Sequence, residues 1–518
     1  MTSLITSCVP STFSPSLFGA SILSLSASPV VNASAYVPGE YRFTQPTVNL
    51  TDATYCNVTV TYTHPGQNDS IIVEAWLPIE SPSWNGRLQA VGGAGWQAGR
   101  ISPGSYIAMQ GAIADGYATI TTDAGLGNAV EASPWALLSP GNVDLYALQN
   151  LASVSLEDEA IIGKSLIENF YGRKPAYSYW NGCSQGGRQG IMLAQRYPDA
   201  YDGIAAGAPG IYWSKLIPSI QWPQQVMNML GSYPDPCEFD AISAAALAAC
   251  DGLDGLVDGI VSDIKACLAS FNPFALVGQS GLNCSDSGTR ISQTAAAVAN
   301  ATWHGIETAK GKPVLPGISP SADVAGSVAV TNCSSGVCVG EPTLIGVQWL
   351  QLFLAMDPEF NVGNLTHQEF DRLIRLGTQL YQSIIDTDDP DLSAFRDAGG
   401  KMVSYHGLDD SMLPPGGTEQ YFDAVASLLP DAKDFYRHFS IPGFAHCHGG
   451  RSGSPSGLFA QLRTWVENGT SPEETPVEVA VLTGELQHRI LCPYPEVARL
   501  NESCADAVER ACWFCDRS

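Results

Sequence analysis

The chain is poor in positive charge. Its 518 residues hold 25 Lys and Arg against 51 Asp and Glu, a formal net charge of −26, and the excess acid is spread along the chain with no acidic tail. Nucleic acid and anionic membrane surfaces repel such a protein, so neither is expected as a partner. Long hydrophobic runs are missing too: no stretch reaches about 18 uninterrupted apolar residues, which leaves no candidate membrane span. The chain has no HExxH, no pair of CxxC motifs and no D-x-D-x-D-G loop, so the usual sequence signs of a zincin, a zinc ribbon and an EF-hand are absent. No internal repeat is visible. Residues 1–7 have no basic residue, and the short apolar run at 16–25 is already preceded by Cys8, Pro10 and Pro15. A signal peptide is therefore expected to be missing or atypical.

Other residue types are plentiful. A hydrophobic content of 45% in so long a chain can bury a large core, as one catalytic domain with a sizeable insertion or as two domains. Fourteen cysteines point to disulfides and an oxidising compartment. N-x-S/T sequons at Asn32, Asn49, Asn57, Asn68, Asn283, Asn300, Asn332, Asn364, Asn468 and Asn501 agree with secretion of a glycoprotein.

Strand patterns dominate the first 130 residues, as in the alternating Val58-Thr59-Val60-Thr61-Tyr62. Strands then alternate with helices: 117–122 as a buried strand, 151–171 as a helix, 176–181 as a strand, 186–197 as a helix, 203–209 as a strand. This rhythm predicts a mostly parallel sheet covered on both faces. It breaks between 211 and 370, where helical patches at 241–250 and 293–309 are mixed with Gly/Ser/Pro segments and six cysteines, and it resumes at 401–407 and 435–439. The expected organisation is a catalytic domain formed by 1–210 and 371–518, with an inserted lid domain at 211–370 stapled by its own disulfides.

Gly182-Cys183-Ser184-Gln185-Gly186 is a G-x-S-x-G pentapeptide between a strand and a helix. That is the setting of a nucleophile elbow, where a tight turn pushes the serine hydroxyl into the open. A serine needs an imidazole to take its proton and a carboxylate to hold the imidazole, and in this arrangement they follow in the order Ser, Asp, His. Asp409 and Asp410 follow the strand at 401–407, and His446 follows the strand at 435–439. Asp410 is favoured over Asp409, and an ordinary acidic turn is the alternative. His446 competes with His448 and His406 for the base; His406 and His438 are read as structural hydrogen-bonding residues. His446-Cys447-His448 also resembles a metal fragment, but it lacks partner ligands. Cys183 and Cys447 each adjoin a candidate catalytic residue. A bond between them would hold Ser184 and His446 in reach and, by chain-entropy reasoning, stabilise by roughly 4 to 5 kcal/mol; two buried free cysteines are the alternative.

The segments Gly182-Cys183-Ser184-Gln185-Gly186-Gly187-Arg188, His406-Gly407-Leu408-Asp409-Asp410 and Gly443-Phe444-Ala445-His446-Cys447 together resemble the tannase and feruloyl esterase family of fungal secreted enzymes. The resemblance spans nearly the whole chain. It implies an α/β-hydrolase with a large lid, the acid at Asp410, and an oxyanion hole made by the backbone N–H of Gln185 and one from the turn Gly92-Gly93-Ala94-Gly95, with Gly93 named before Ala94. Leu126 departs from the family, where a histidine often follows T-D-x-G.

Asp251, Asp254 and Asp258 lie within eight residues and are spaced by turn-forming glycines. Such carboxylates can converge on a hard cation, although, taken alone, Asp-Gly turns explain them better. The resemblance implies a structural Ca2+ held by Asp251, Asp254 and Asp258 with the carbonyls of Leu256 and Ile260, the loop being closed by a Cys250–Cys267 bridge. It also implies Cys8 with Cys56, and Cys492 with one of Cys504, Cys512 and Cys515.

The expected activity is that of a secreted serine carboxylesterase on phenolic-acid esters, foremost feruloyl esters of plant cell-wall polysaccharide such as xylan. Trp213, Trp222, Trp349 and Tyr212 are candidates to line an aromatic slot. A tannase acting on galloyl esters is the alternative within the class. A catalytically dead carbohydrate-binding glycoprotein is the rival from outside it, and the complete Ser, Asp, His order argues against that rival.

Overall fold

β-Branched and apolar residues build nine strands into one sheet in the computed structural model of the chain, which describes residues 4–280, 284, 289–334, 337–501, 503–504 and 508–516. The strands are β1 (Ser21–Val37), β2 (Val48–Thr63), β3 (Ile71–Glu80), β4 (Arg87–Val91), β5 (Ala118–Thr122), β6 (Tyr177–Cys183), β7 (Gly203–Gly207), β8 (Lys401–Gly407) and β9 (Tyr436–Ile441). Their order across the sheet is β1-β2-β3-β5-β4-β6-β7-β8-β9. The first three are antiparallel to their neighbours and the six from β5 to β9 are parallel. Parallel strands need crossovers, which puts helices on both faces and leaves strands such as β7 buried along their full length.

The helices are α1 (Pro103–Ala114), α2 (Ser155–Tyr171), α3 (Gln185–Arg196), α4 (Trp213–Leu230), α5 (Pro236–Cys250), α6 (Gln293–His304), α7 (His367–Ile385), α8 (Pro415–Leu428) and α9 (Leu458–Asn468). Apolar residues of α2, α3 and α8 share one core, and those of α1 and α9 cover the other face. The protein is an α/β-hydrolase. Between β7 and β8 the described residues add no strand to this sheet. They form α4 to α7 and a ribbon of Thr331–Asn332 with Val339–Gly340, crossed by the bridges Cys237–Cys284, Cys250–Cys267 and Cys333–Cys338. This segment shares a core with the loops after β4 and β5, including Trp96, Trp135 and Leu126.

Several details depart from the sequence reading. The run at 16–25 enters β1, an edge strand with Leu23 and Val31 exposed. Residue 370 falls inside α7, whose apolar face continues to Ile385, so the insertion's last helix ends well beyond the expected boundary. Its exit lies beside its start: the Thr387 N–H donates to the Ile211 carbonyl at 2.8 Å. Helix α6 stops at His304 because Gly305 takes a positive φ of 84°, so the expected helix at 293–309 is shortened. All fourteen cysteines are paired, the remaining bridges being Cys8–Cys56, Cys183–Cys447, Cys492–Cys515 and Cys504–Cys512. Asn57 and Asn300 are half-buried and the other described sequon asparagines are exposed; Asn283 lies outside the described residues. Among the described residues no helix is long and apolar enough to cross a membrane.

Candidate active site

Strand β6 runs straight into the turn that carries Ser184. The serine has φ +62° and ψ −118°, a conformation a non-glycine residue holds only when its surroundings impose it. The glycines around it make the turn possible: a Cβ on Gly182 would lie 2.7 Å from the Gly186 carbonyl carbon, and one on Gly92 would lie 2.6 Å from Gly186 Cα. Helix α3 starts at the next residue, so its first backbone amides sit beside the serine.

Asp410 follows β8, and His446 lies on the loop after β9. His446 Nδ1 is 2.6 Å from Asp410 Oδ2. The other carboxylate oxygen accepts the Met412 and Leu413 N–H groups, each at 2.9 Å. Asp410 is fully buried, whereas the His446 side chain keeps 21% of its exposure. Burial alone would raise the Asp410 carboxyl, but the His446 and His406 imidazoles hold it well below the ordinary carboxylate range. Burial likewise pulls His446 down, and the Asp410 carboxylate more than offsets this, leaving the imidazole above the ordinary histidine value. The Cys183–Cys447 bridge, with Cα atoms 5.9 Å apart, ties the residue before Ser184 to the residue after His446. Among the described residues no hydrogen bond joins Ser184 Oγ to His446; the two loops meet through the bridge and through a shared core that includes Ala208, Tyr405 and Phe444.

The structure separates the competing residues. Asp409 turns away from His446: its carboxylate accepts the Ser321 hydroxyl at 2.6 Å from the inserted segment, and burial raises its pKa. His448 is exposed. The Cys447 sulfur is spent in its disulfide and is not a metal ligand. His438 is buried and pushed down to about 3 by that burial, with Nδ1 on the Ser404 hydroxyl at 2.9 Å. His406 is buried as well, but its Nε2 reaches Asp410 Oδ2 at 3.1 Å, a contact that assignment to a general structural role overlooked.

Gly93 does not offer the expected free amide. Its N–H donates to Gln189 Oε1 at 3.0 Å, and its carbonyl accepts the Gly186 N–H at 3.0 Å, so the turn is clamped to α3 and the Gly93 donor is committed inward. Ala94, the next residue of the turn, is exposed. Of the aromatic candidates, Trp213 and Trp349 pack around Trp96 with ring centroids 5.2 and 6.3 Å away and belong to the core. Tyr212 is half-buried. Trp222 lines a narrow cleft with Thr302, Pro316, Met412 and Pro414, beside the turn that carries Asp410.

The acidic loop lies apart from these residues. Asp251 Oδ1 accepts the N–H groups of Asp258, Gly259 and Ile260 at 2.9 to 3.3 Å, Asp254 Oδ1 accepts that of Leu256, and Asp258 pairs with Arg489 at 2.6 Å. Burial raises the Asp258 carboxyl, Arg489 opposes the rise, and the charges of Asp254 and Asp251 add to it. That mutual repulsion suits a hard dication, and the Leu256 and Ile260 carbonyls are neutral donors on the same loop. Among the described residues, however, the one group of three candidate ligand atoms within 4.8 Å of one another is Asp235, Cys333 and Cys338. Both of those sulfurs are spent in a disulfide.

Comparison with known proteins agrees with this geometry. The family profile described as "Tannase and feruloyl esterase" matches residues 56–512. A probable feruloyl esterase from Arthroderma benhamiae is 38% identical over 88% of this chain and 85% of its own length. A tannase from Aspergillus oryzae is 28% identical over 93% and 88%. The solved tannin acyl hydrolase from Aspergillus niger superposes with a TM-score of 0.86 at 28% identity, covering 99% of this chain and 94% of that one. The chain belongs to the tannase and feruloyl esterase family of carboxylic ester hydrolases.

Proposed function

We propose that the protein is a secreted serine esterase that cleaves phenolic-acid esters, foremost feruloyl esters of plant cell-wall polysaccharide, with Ser184, His446 and Asp410 as its catalytic residues. The supporting observation is the 2.6 Å contact of His446 Nδ1 with Asp410 Oδ2 on a loop bridged to the serine turn. With Nδ1 occupied, Nε2 is the atom left to face Ser184. In this reading the Ser184 hydroxyl attacks the ester carbonyl carbon, His446 Nε2 takes its proton, and the imidazolium is stabilised by Asp410. The tetrahedral oxyanion accepts hydrogen bonds from the Gln185 N–H and, because Gly93 is committed to Gln189, from Ala94. His446 then returns the proton to the leaving alcohol. A water activated by the same nitrogen hydrolyses the acyl-enzyme.

The relative with the highest identity quoted above carries a feruloyl esterase name, which favours the feruloyl reading. A tannase is the second reading, favoured by the whole-chain superposition on the tannin acyl hydrolase. Turnover of methyl ferulate and methyl gallate separates the two by their kcat/KM ratio. The Ser184→Ala variant should lose turnover of both by several orders of magnitude, and an unchanged rate would falsify the serine mechanism. As part of the same proposal, Asp251, Asp254 and Asp258 with the Leu256 and Ile260 carbonyls hold a structural Ca2+ in the inserted segment, and it takes no part in the chemical step.

A further inference from the structure

His406 ends β8 and is as buried as the carboxylate it touches, with 1% of its side chain exposed against 0% for Asp410. Its Nε2 lies 3.1 Å from Asp410 Oδ2 and 3.1 Å from the Leu413 carbonyl oxygen. Both are acceptors, so Nε2 must carry the hydrogen. Its Nδ1 lies 2.7 Å from the hydroxyl of Thr418, a buried residue in the first turn of α8 that can donate to a bare ring nitrogen. That ring stitches the end of β8, the turn of 410–413 and the start of α8 into a unit.

Asp410 Oδ2 is therefore shared by two imidazoles, His446 Nδ1 at 2.6 Å and His406 Nε2 at 3.1 Å, while two backbone amides hold Oδ1. We infer that His406 is a positioning residue for the reaction: its N–H fixes the plane of the Asp410 carboxylate toward His446 and draws charge away from the oxygen the two rings share. This rests on the serine-esterase reading above. Two consequences follow from charge alone. Removing the donor frees the carboxylate to rotate, which affects the step in which His446 becomes charged more than it affects substrate binding. It also leaves more negative charge on Oδ2, which favours imidazolium and moves the acid limb of kcat/KM to higher pH. Asp410 is faced by His406 from β8 and His446 from the loop after β9, and His446 by Asp410. His406 is itself faced by Glu419 of α8 and His438 of β9; Glu419 is further faced by Ser440, Lys265 and Asp423, and Asp409 by Ser321 and Arg451.

The test compares His406→Leu, which keeps bulk without a donor, with His406→Gln, whose amide nitrogen reaches about as far as Nε2. The probe is p-nitrophenyl acetate, assayed across pH with the full-length protein. Expected for His406→Leu are a fall of about ten- to a hundredfold in kcat, a nearly unchanged KM and an acid limb displaced upward, with most of the loss restored by Gln. The inference is overturned if a folded His406→Leu protein keeps the wild-type kcat and pH profile. It is equally overturned if Leu and Gln lose activity alike and in step with their melting temperatures. Should Leu not fold, Thr418→Val decides, because it removes the hydroxyl that holds the His406 ring: an unchanged kcat and acid limb in that variant refute the inference. Ser184→Ala run alongside separates the two questions, because its inactivity upholds the serine mechanism whatever His406 does.

Discussion

The three loops that meet at the candidate site are held in two different ways. The serine and histidine loops are joined covalently through Cys183 and Cys447, across a sequence separation of 264. The acid loop has no such bridge and is held by burial of Leu408 and Leu413 and by hydrogen bonds: from His406 and the Met412 and Leu413 amides on Asp410, from Ser321 on Asp409, from the Asp409 N–H to the Phe444 carbonyl at 3.0 Å, and from Ser327 on the Ser411 carbonyl at 3.0 Å. The difference follows from chain distance. Local groups four residues apart need little ordering entropy to meet, whereas two loops hundreds of residues apart gain most from a crosslink. The acid loop also takes two of its holds from the inserted segment, so the insertion bears on the chemistry through Asp409 and Ser411, while the serine–histidine pair depends on the bridge.

This contrast can be broken from either side. Asp410→Asn should have the largest effect, lowering kcat by about 10^4 through loss of the correct histidine tautomer and of charge stabilisation. A folded variant within tenfold of wild type would show that another residue serves as the acid. The same variant sharpens the electrostatics. Asp410, with a folded pKa below its unfolded value of about 3.9, contributes stability that is present above that value and lost as pH falls through the lower folded one. His446, raised above about 6.5, contributes stability present below that value and lost as pH rises through the folded one. The melting temperature gap between wild type and Asp410→Asn should therefore be widest between about pH 4 and 6.5; a gap that keeps growing to pH 9 contradicts the pairing.

Removing the bridge should act less on chemistry and more on stability. The double variant Cys183→Ala/Cys447→Ala is expected to lose about 2 to 5 kcal/mol in denaturant unfolding and to lose activity in parallel, since among the described residues no hydrogen bond links Ser184 to His446. Unaltered stability and activity would mean that packing alone sets those loops. The smallest effect is expected from chelation. If the acidic loop holds Ca2+, an excess of about a hundred times Kd stabilises by about 2.7 kcal/mol, so EDTA should lower the melting temperature while initial rates at 25 °C change little. An identical melting curve with and without chelator rejects the site.

Much of this was legible before folding was considered. The Ser184 turn is announced by its flanking glycines, and the strand–helix alternation around it marks a parallel sheet. The sequence reading names no helix at α1, α4, α7, α8 or α9; α1 carries glycines at 104 and 111 and α4 contains Pro218 and Pro223, which read as breakers. Burial of α4 against α6 and α7 outweighs that local cost. His406 was passed over since a histidine near a strand end is most often a plain hydrogen-bonding residue, and nothing local says which atom it faces.

Residue types, their order along the chain and their short spacings settle the fold class and the family and single out Ser184, the Asp409-Asp410 pair and His446 as candidates, since strand–turn–helix patterns act over a few residues. The choice among adjacent groups was left to the folded molecule. Asp410 faces the histidine and Asp409 does not because Ser321, 88 residues away, takes the second carboxylate. Gly93 turns its amide inward because Gln189 of a distant helix accepts it. Such choices rest on contacts between segments far apart in the chain, and those contacts exist only once the sheet has brought the segments together.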